Sequence, residues 1–190
     1  MLTGCKQQQA MGDGWSCCLW WVVSLILALA WFEKIVGRTL WGPRNEPGFW
    51  TSESTHGTAH DQYFLDPYSF THVTHGILLY AGLWSTGVLR KWGVCYALVL
   101  SVFIECLWEA LENSVVIEFF QQFEEYEEYT GDSIMNSCGD VLCSIIGFLL
   151  AAFTAPLLSI LYIVASELLL YICIHDNFAL ILWRMFHLQN

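Results

Sequence analysis

At 190 residues the chain has the length of one compact domain. Hydrophobic residues make up 56% of it and charged residues only 13%. That is about half the charge of a soluble domain and argues against a soluble globular protein. The net charge of −11 argues against nucleic acid as a partner, because phosphate backbones bind basic surfaces.

The composition and several long apolar runs point to an all-α polytopic membrane bundle of about five transmembrane helices. Residues 1–14 are expected to be flexible, and 15–188 to form a single bundle domain. Only Lys6 is basic before the first apolar run, so that run reads as a retained helix, not a cleaved signal. It covers Trp15 to Phe32 and is followed by Glu33, Lys34 and Arg38. The polar connection from Gly37 to Phe70 is too long for a bare turn and is expected to fold over one face. His72 to Leu89 is the second span, Arg90-Lys91 a tight basic turn, and Trp92 to Ile117 a long third span. An acidic, aromatic segment runs from Glu118 to Gly131 and reads as a solvated surface. Ser133 to Phe153 is the fourth span and Leu157 to Ile174 the fifth, with Ala155-Pro156 between them. The apolar tail from Phe178 to Leu188 is expected at the interface or back inside the bundle.

Eight cysteines are scattered without a Cys-x-x-Cys pair, and those inside apolar runs behave as small hydrophobes. No nucleotide-binding loop, Rossmann fingerprint, nucleophile elbow or His-Glu-x-x-His motif occurs. No reaction follows from motifs, and whether the chain is an enzyme stays open.

Alternating the spans across the membrane brings the ionisable residues to one side. The second span begins there with His72 and His75, and the third ends there with Glu109 and Glu112. The fourth begins there with Asp132 and Asn136, and the fifth ends there with His175 and Asp176. Lys6, Arg90 and Lys91 fall on the opposite side, which the basic turn marks as cytoplasmic or matrix-like.

The spacings are those of helix faces. Glu105, Glu109 and Glu112 share one face, as do Asp132, Asn136 and Asp140. Charges in lipid need partners, so these stripes must meet inside the bundle. His72 and His75, one turn apart, suit a shared metal or a proton relay, though two hydrogen-bonded interfacial histidines account for the pair equally well. The candidate metal ligands are His72, His75, Glu109, Glu112, Asp132 and Asp140. A supporting polar network would comprise Glu105, Asn113, Ser133, Asn136, Glu167, His175, Asp176 and Asn177. The cofactor would be a divalent ion: hard carboxylates suit magnesium, calcium or manganese, and imidazoles admit zinc or iron. His56, His60 and Asp61 would supply outer ligands if the connection folds back. A metal held there would activate water or hold a phosphate of a lipid-linked or small substrate. The alternative is a non-catalytic accessory subunit of a larger membrane complex, with the polar residues as a structural network. Ion translocation is a weaker third reading, since no inverted repeat is evident.

Four stretches carry a resemblance. They are Tyr68–Tyr80, Trp108–Ser114, Gly131–Ser137 with Asp140 and Gly147-Phe148, and Glu167 with His175-Asp176-Asn177. In order and spacing they resemble the uncharacterised bacterial inner-membrane family labelled domain of unknown function 2585, over roughly Gly37 to Leu182. A looser similarity links the His, Glu and Asp-x-x-x-Asn order to VanZ-like proteins. The resemblance implies a small multi-pass membrane protein and brings no established activity. Where the family carries Cys-x-Cys-Gly after its first span, this chain has Gly37–Pro43 without cysteine, and His175 replaces a usual arginine. Membrane lipids are the expected surroundings, in a bacterial-type inner membrane or an organelle inner membrane.

Overall fold

The computed structural model describes residues 2–42, 46–51, 62–123, 127 and 129–187. The elements are α1 (Leu2–Ile35), α2 (Ser69–Ser85), α3 (Val88–Leu111), a π-helical turn (Glu112–Val116), α4 (Ile117–Phe120), α5 (Ile134–Phe153), α6 (Pro156–Ile174) and α7 (Phe178–His187). Among the described residues there is no strand, only an isolated parallel bridge between Trp50 and Leu65. His56, His60 and Asp61 lie outside the described residues.

Four segments are long and apolar enough to cross a bilayer: Trp15–Ile35, Val88–Phe120, Ile134–Phe153 and Pro156–Ile174. The expected second span is the exception. As α2 it has 17 residues, about 26 Å at 1.5 Å per residue. Its first turns are polar, and Ser69, Thr71, His72 and Thr74 are buried against protein, away from lipid. It stops early because the Thr86 and Gly87 amides turn back to the Gly82 and Trp84 carbonyls.

The basic turn also differs from expectation. The chain reverses at Gly87, and Arg90 and Lys91 already sit in the first turns of α3. The break comes at Gly93, whose φ of 80° is open to glycine and strained for other residues. Before Trp15, α1 is already helical, through good helix formers such as Gln7, Gln8, Gln9 and Ala10.

α5 is the central helix and packs against α1, α2, α3 and α6. Helix contact in lipid gains little from the hydrophobic effect, so close packing at small residues must hold the bundle. The α2–α5 crossing shows this. A Cβ at Gly76 would overlap the Ser144 carbonyl, and one at Gly147 would overlap the Val73 carbonyl. Around the crossing Ala97, Val102, Val141 and Phe148 are fully buried, with Tyr80 edge-on to Phe148. α1 and α6 mostly face outward, exposing Trp20, Trp31, Leu161 and Leu168, as lipid-facing spans do.

At the polar end, residues 39–40 and 62–63 of the connection between α1 and α2 lie against the start of α5. The Ile134 and Met135 amides, unpaired within their own helix, donate to the Thr39 and Leu40 carbonyls. The Ser133 hydroxyl donates to the Gln62 carbonyl, and the Asn136 amide to the Tyr63 carbonyl. The Arg38 guanidinium donates to the Asp132 and Thr130 carbonyls and clamps the strand-like entry to α5.

Candidate functional site

The helices run alternately up and down, so one end of the bundle collects most of the buried polar residues. α2 supplies His72 and His75 from its first two turns. α3 and the π turn supply Glu105, Glu109, Glu112 and Asn113 on successive turns of one face. The π turn widens the helix where Glu112 and Asn113 both project inward, and such turns often occur at functional sites. The entry to α5 and its first two turns supply Asp132, Asn136 and Asp140.

One half of this region is rich in hydrogen bonds, though Glu33 Oε2 has no partner. Asn113 is its hub, donating to Glu33 Oε1 at 3.2 Å, Asp132 Oδ2 at 3.0 Å and Ser137 Oγ at 3.0 Å. It also accepts from the Asp132 amide at 2.6 Å. The other Asp132 oxygen accepts from the Tyr129 hydroxyl. Burial pushes the Asp132 carboxyl up to about 6, with nearby Asp66 adding to the rise. Arg38, Asn113 and Tyr129 pull the other way. Asp66 caps the start of α2, accepting from the Tyr68 and Ser69 amides, while its second oxygen accepts from Asn136. The Ser69 hydroxyl donates to Asp140 at 2.7 Å.

The other half is short of donors. Glu105 Oε1 sits 2.7 Å from His72 Nδ1 and 3.2 Å from His75 Nδ1. One carboxylate thus engages Nδ1 of both rings. That pattern fixes the ring orientation and leaves Nε2 of each as the nitrogen available to a ligand. Glu109 is fully buried and neither of its oxygens has a hydrogen-bond partner. His72 Nδ1 does lie 3.3 Å from Glu109 Oε1, but its nearer contact at 2.7 Å is Glu105. Glu109, Glu112 and Asp132 each place an oxygen within 4.8 Å of the others, and His72, His75 and Glu105 form a second such group.

A cavity of about 390 Å³ opens beside these residues, with Glu109 buried behind its lining. His72, His75, Glu105, Glu112, Asp132, Asn136 and Asp140 line its polar side, and Leu78, Leu79, Ile104, Trp108 and residues of α7 are among its apolar lining. Phe178 of α7 packs edge-on against the His75 ring at a centroid distance of 4.8 Å.

The remaining candidates from the sequence go elsewhere. Ser133 caps α5, its hydroxyl accepting from the Asn136 amide. Glu167 takes the Ala179 amide at the start of α7, and Asn177 caps that helix by accepting from Leu180. Asp176 joins the Tyr68 hydroxyl to Arg184. These three hold α7 in place and lie apart from the carboxylate group. Among the described residues, His175 meets Tyr171 edge-on through its ring and joins no polar network. It ends α6 in a left-handed conformation with φ 57° and is exposed.

Sequence reasoning missed Glu33, Asp66, Ser69 and Gln62. For Asp66 a signal was present, since Asp-Pro before an apolar run marks a helix start. Glu33 beside Lys34 looked like an ordinary interfacial pair, and nothing local marked it as fully buried.

Fold and site together define a multi-pass membrane protein with a His/carboxylate cluster at one end of its helix bundle. The chain belongs to the family described as protein of unknown function (DUF2585), which matches residues 34–188. Among its relatives, the UPF0314 protein of Paracoccus denitrificans is 31% identical over 172 residues, covering 87% of this chain and 88% of the relative. The UPF0314 protein of Brucella anthropi is 34% identical over 132 residues, covering 68% and 66%. That of Sphingopyxis alaskensis is 30% identical over 168 residues, covering 84% and 85%. No solved structure matches the chain.

Proposed function

We propose that this end of the bundle binds a divalent metal ion at the membrane face. Glu109, Glu112 and Asp132 supply carboxylate oxygens, and His72 and His75 supply imidazole nitrogens, with Asp140 at the edge of the set. Glu105 acts as the orienting group behind the two histidines. The observation that carries this reading is Glu109, a fully buried carboxylate with no hydrogen-bond donor on either oxygen. Leaving a buried charged group unsatisfied is costly, and a cation between three converging carboxylates removes the cost. A mixed nitrogen and oxygen set suits manganese, iron or zinc better than calcium, which prefers oxygen alone. Such an ion polarises a phosphoryl or carbonyl oxygen and lowers the pKa of bound water. The bacterial relatives support a bacterial-type inner membrane, or an organelle inner membrane, as the setting.

The test is elemental analysis of protein purified in detergent without chelator, before and after incubation with manganese, zinc or magnesium. About one ion per chain is expected, lost in Glu109→Gln and in Asp132→Asn. An ion-free wild type under all these conditions would sink the proposal. An ion-free chain that also comigrates with a large complex on native electrophoresis would favour the accessory-subunit alternative.

A further inference from the structure

The cavity has two chemistries, and the metal accounts for only one of them. Its polar floor is the carboxylate and imidazole group. Its other wall is made by Leu78 and Leu79 of α2, Ile104 of α3, and Ile181, Leu182 and Met185 of α7. A site for a small soluble ion needs no such wall. Nor is this wall simply packed core, because Leu78 is 46% and Ile104 37% exposed while lining the cavity. Both residues belong to helices of the membrane bundle, and Leu78 lies one turn beyond His75, away from the polar end. The cavity therefore opens sideways, toward the acyl region of the bilayer. Apolar surface exposed there meets lipid at no cost, whereas facing water it would be penalised by about 25 cal/mol per Å².

We infer that the cavity takes a phosphate-headed amphiphile drawn laterally from the membrane. The phosphate sits on the metal at the carboxylate floor, and the first part of the tail lies between α2, α3 and α7. This rests on the metal reading above. Without a cation, Glu105, Glu109, Glu112, Asp132 and Asp140 repel an anionic head. With one, the open coordination positions call for hard oxygen donors, which a phosphate provides. The volume of about 390 Å³ falls within the usual range for small-molecule sites and holds a headgroup with the start of a tail. The remainder of a tail would stay in the bilayer, past Leu78 and Ile104.

Charge alone allows a different guest. An amine-headed amphiphile would be drawn to the bare acids with no metal present. The experiment separates these. Full-length protein in detergent is incubated with dioleoyl phosphatidic acid, dioleoylglycerol, octadecylamine or inorganic phosphate, and retention is read by native mass spectrometry. Each arm is run with manganese or with chelator, and metal content is measured on the same samples.

Phosphatidic acid is expected to be retained about tenfold or more over dioleoylglycerol and over inorganic phosphate, and only with metal. Leu78→Trp and Ile104→Trp, at the exposed rim where folding is safe, are expected to cut that retention at least about fivefold without changing metal content. Equal retention of phosphatidic acid and dioleoylglycerol by a metal-loaded chain overturns the inference and leaves the metal reading standing. So does inorganic phosphate binding as well as the lipid, or rim variants that change nothing. Octadecylamine retained regardless of chelator overturns the phosphate assignment. A wild type that never binds metal overturns the underlying reading instead, a result visible in the metal measurement itself.

Discussion

Two neighbouring sets of buried acids are treated differently by this fold. Asp132, Asp66 and Asp140 each accept hydrogen bonds from side chains or amides placed for them. Glu109, on the facing helix, has none. Both sets sit at the same end of the bundle, Asp140 and Glu109 on helix faces and Asp66 and Asp132 just before helix starts. The difference is that the aspartates already hold hydrogen bonds from Asn113, Asn136, Ser69 and Tyr129, while Glu109 receives none. Buried polar groups without a partner are uncommon, and among the described buried carboxylates Glu109 alone lacks one on both oxygens.

That contrast can be broken from the satisfied side first. Asn113→Ala removes the hub and leaves Glu33, Asp132 and Ser137 short of partners at once. A loss of roughly 3–5 kcal/mol is expected by denaturant unfolding in detergent. Gly147→Val comes next. It forces α5, which carries Asp140, off the Val73 carbonyl and away from α2, which carries the two histidines, at a cost of roughly 2–4 kcal/mol. Both variants should lose metal as a consequence of disrupted structure.

The unsatisfied side should respond in the opposite way. Glu109→Gln keeps the side-chain shape and breaks no hydrogen bond that Glu109 accepts, so metal-free stability should hold within about 1 kcal/mol. What it should lose is the metal effect. Wild type is expected to gain about 2.7 kcal/mol at an ion concentration a hundred times the Kd, and the variant none, read as a Tm shift. A Glu109→Gln chain that unfolds as readily as Asn113→Ala would erase the distinction between the two sets.

Smaller effects sharpen the boundary of the site. Arg184→Ala cuts the Asp176 link that holds α7 and should cost about 1–2 kcal/mol, with faster amide exchange confined to residues 178–187. His175→Gly should be neutral or stabilising within about 0.5 kcal/mol, because glycine suits a left-handed helix end. The same substitution at His75 should instead remove a metal ligand, so the two histidines should separate in a metal-content assay.

Much of this was legible in the residue spacings. Glu105, Glu109 and Glu112 had to share a helix face, and alternating spans had to bring them near His72, His75 and Asp132. The placement of His175 was not legible, since its neighbours Asp176 and Asn177 do take part in a network. Its backbone conformation, fixed by the end of α6, turns it outward. Glu33 was hidden for the converse reason. A glutamate at the end of an apolar run looks interfacial until Asn113, 80 positions away, is found beside it.

The sequence by itself determined that this is a membrane helix bundle with its ionisable residues at one end, because lipid permits few backbone solutions and helical periodicity is short-range. Tertiary structure alone decided which acids are satisfied, that an apolar wall lines the cavity beside them, and that α7 contributes to that wall. Those facts depend on partners tens of residues apart, and on helix approaches set where glycine lets two backbones nearly touch.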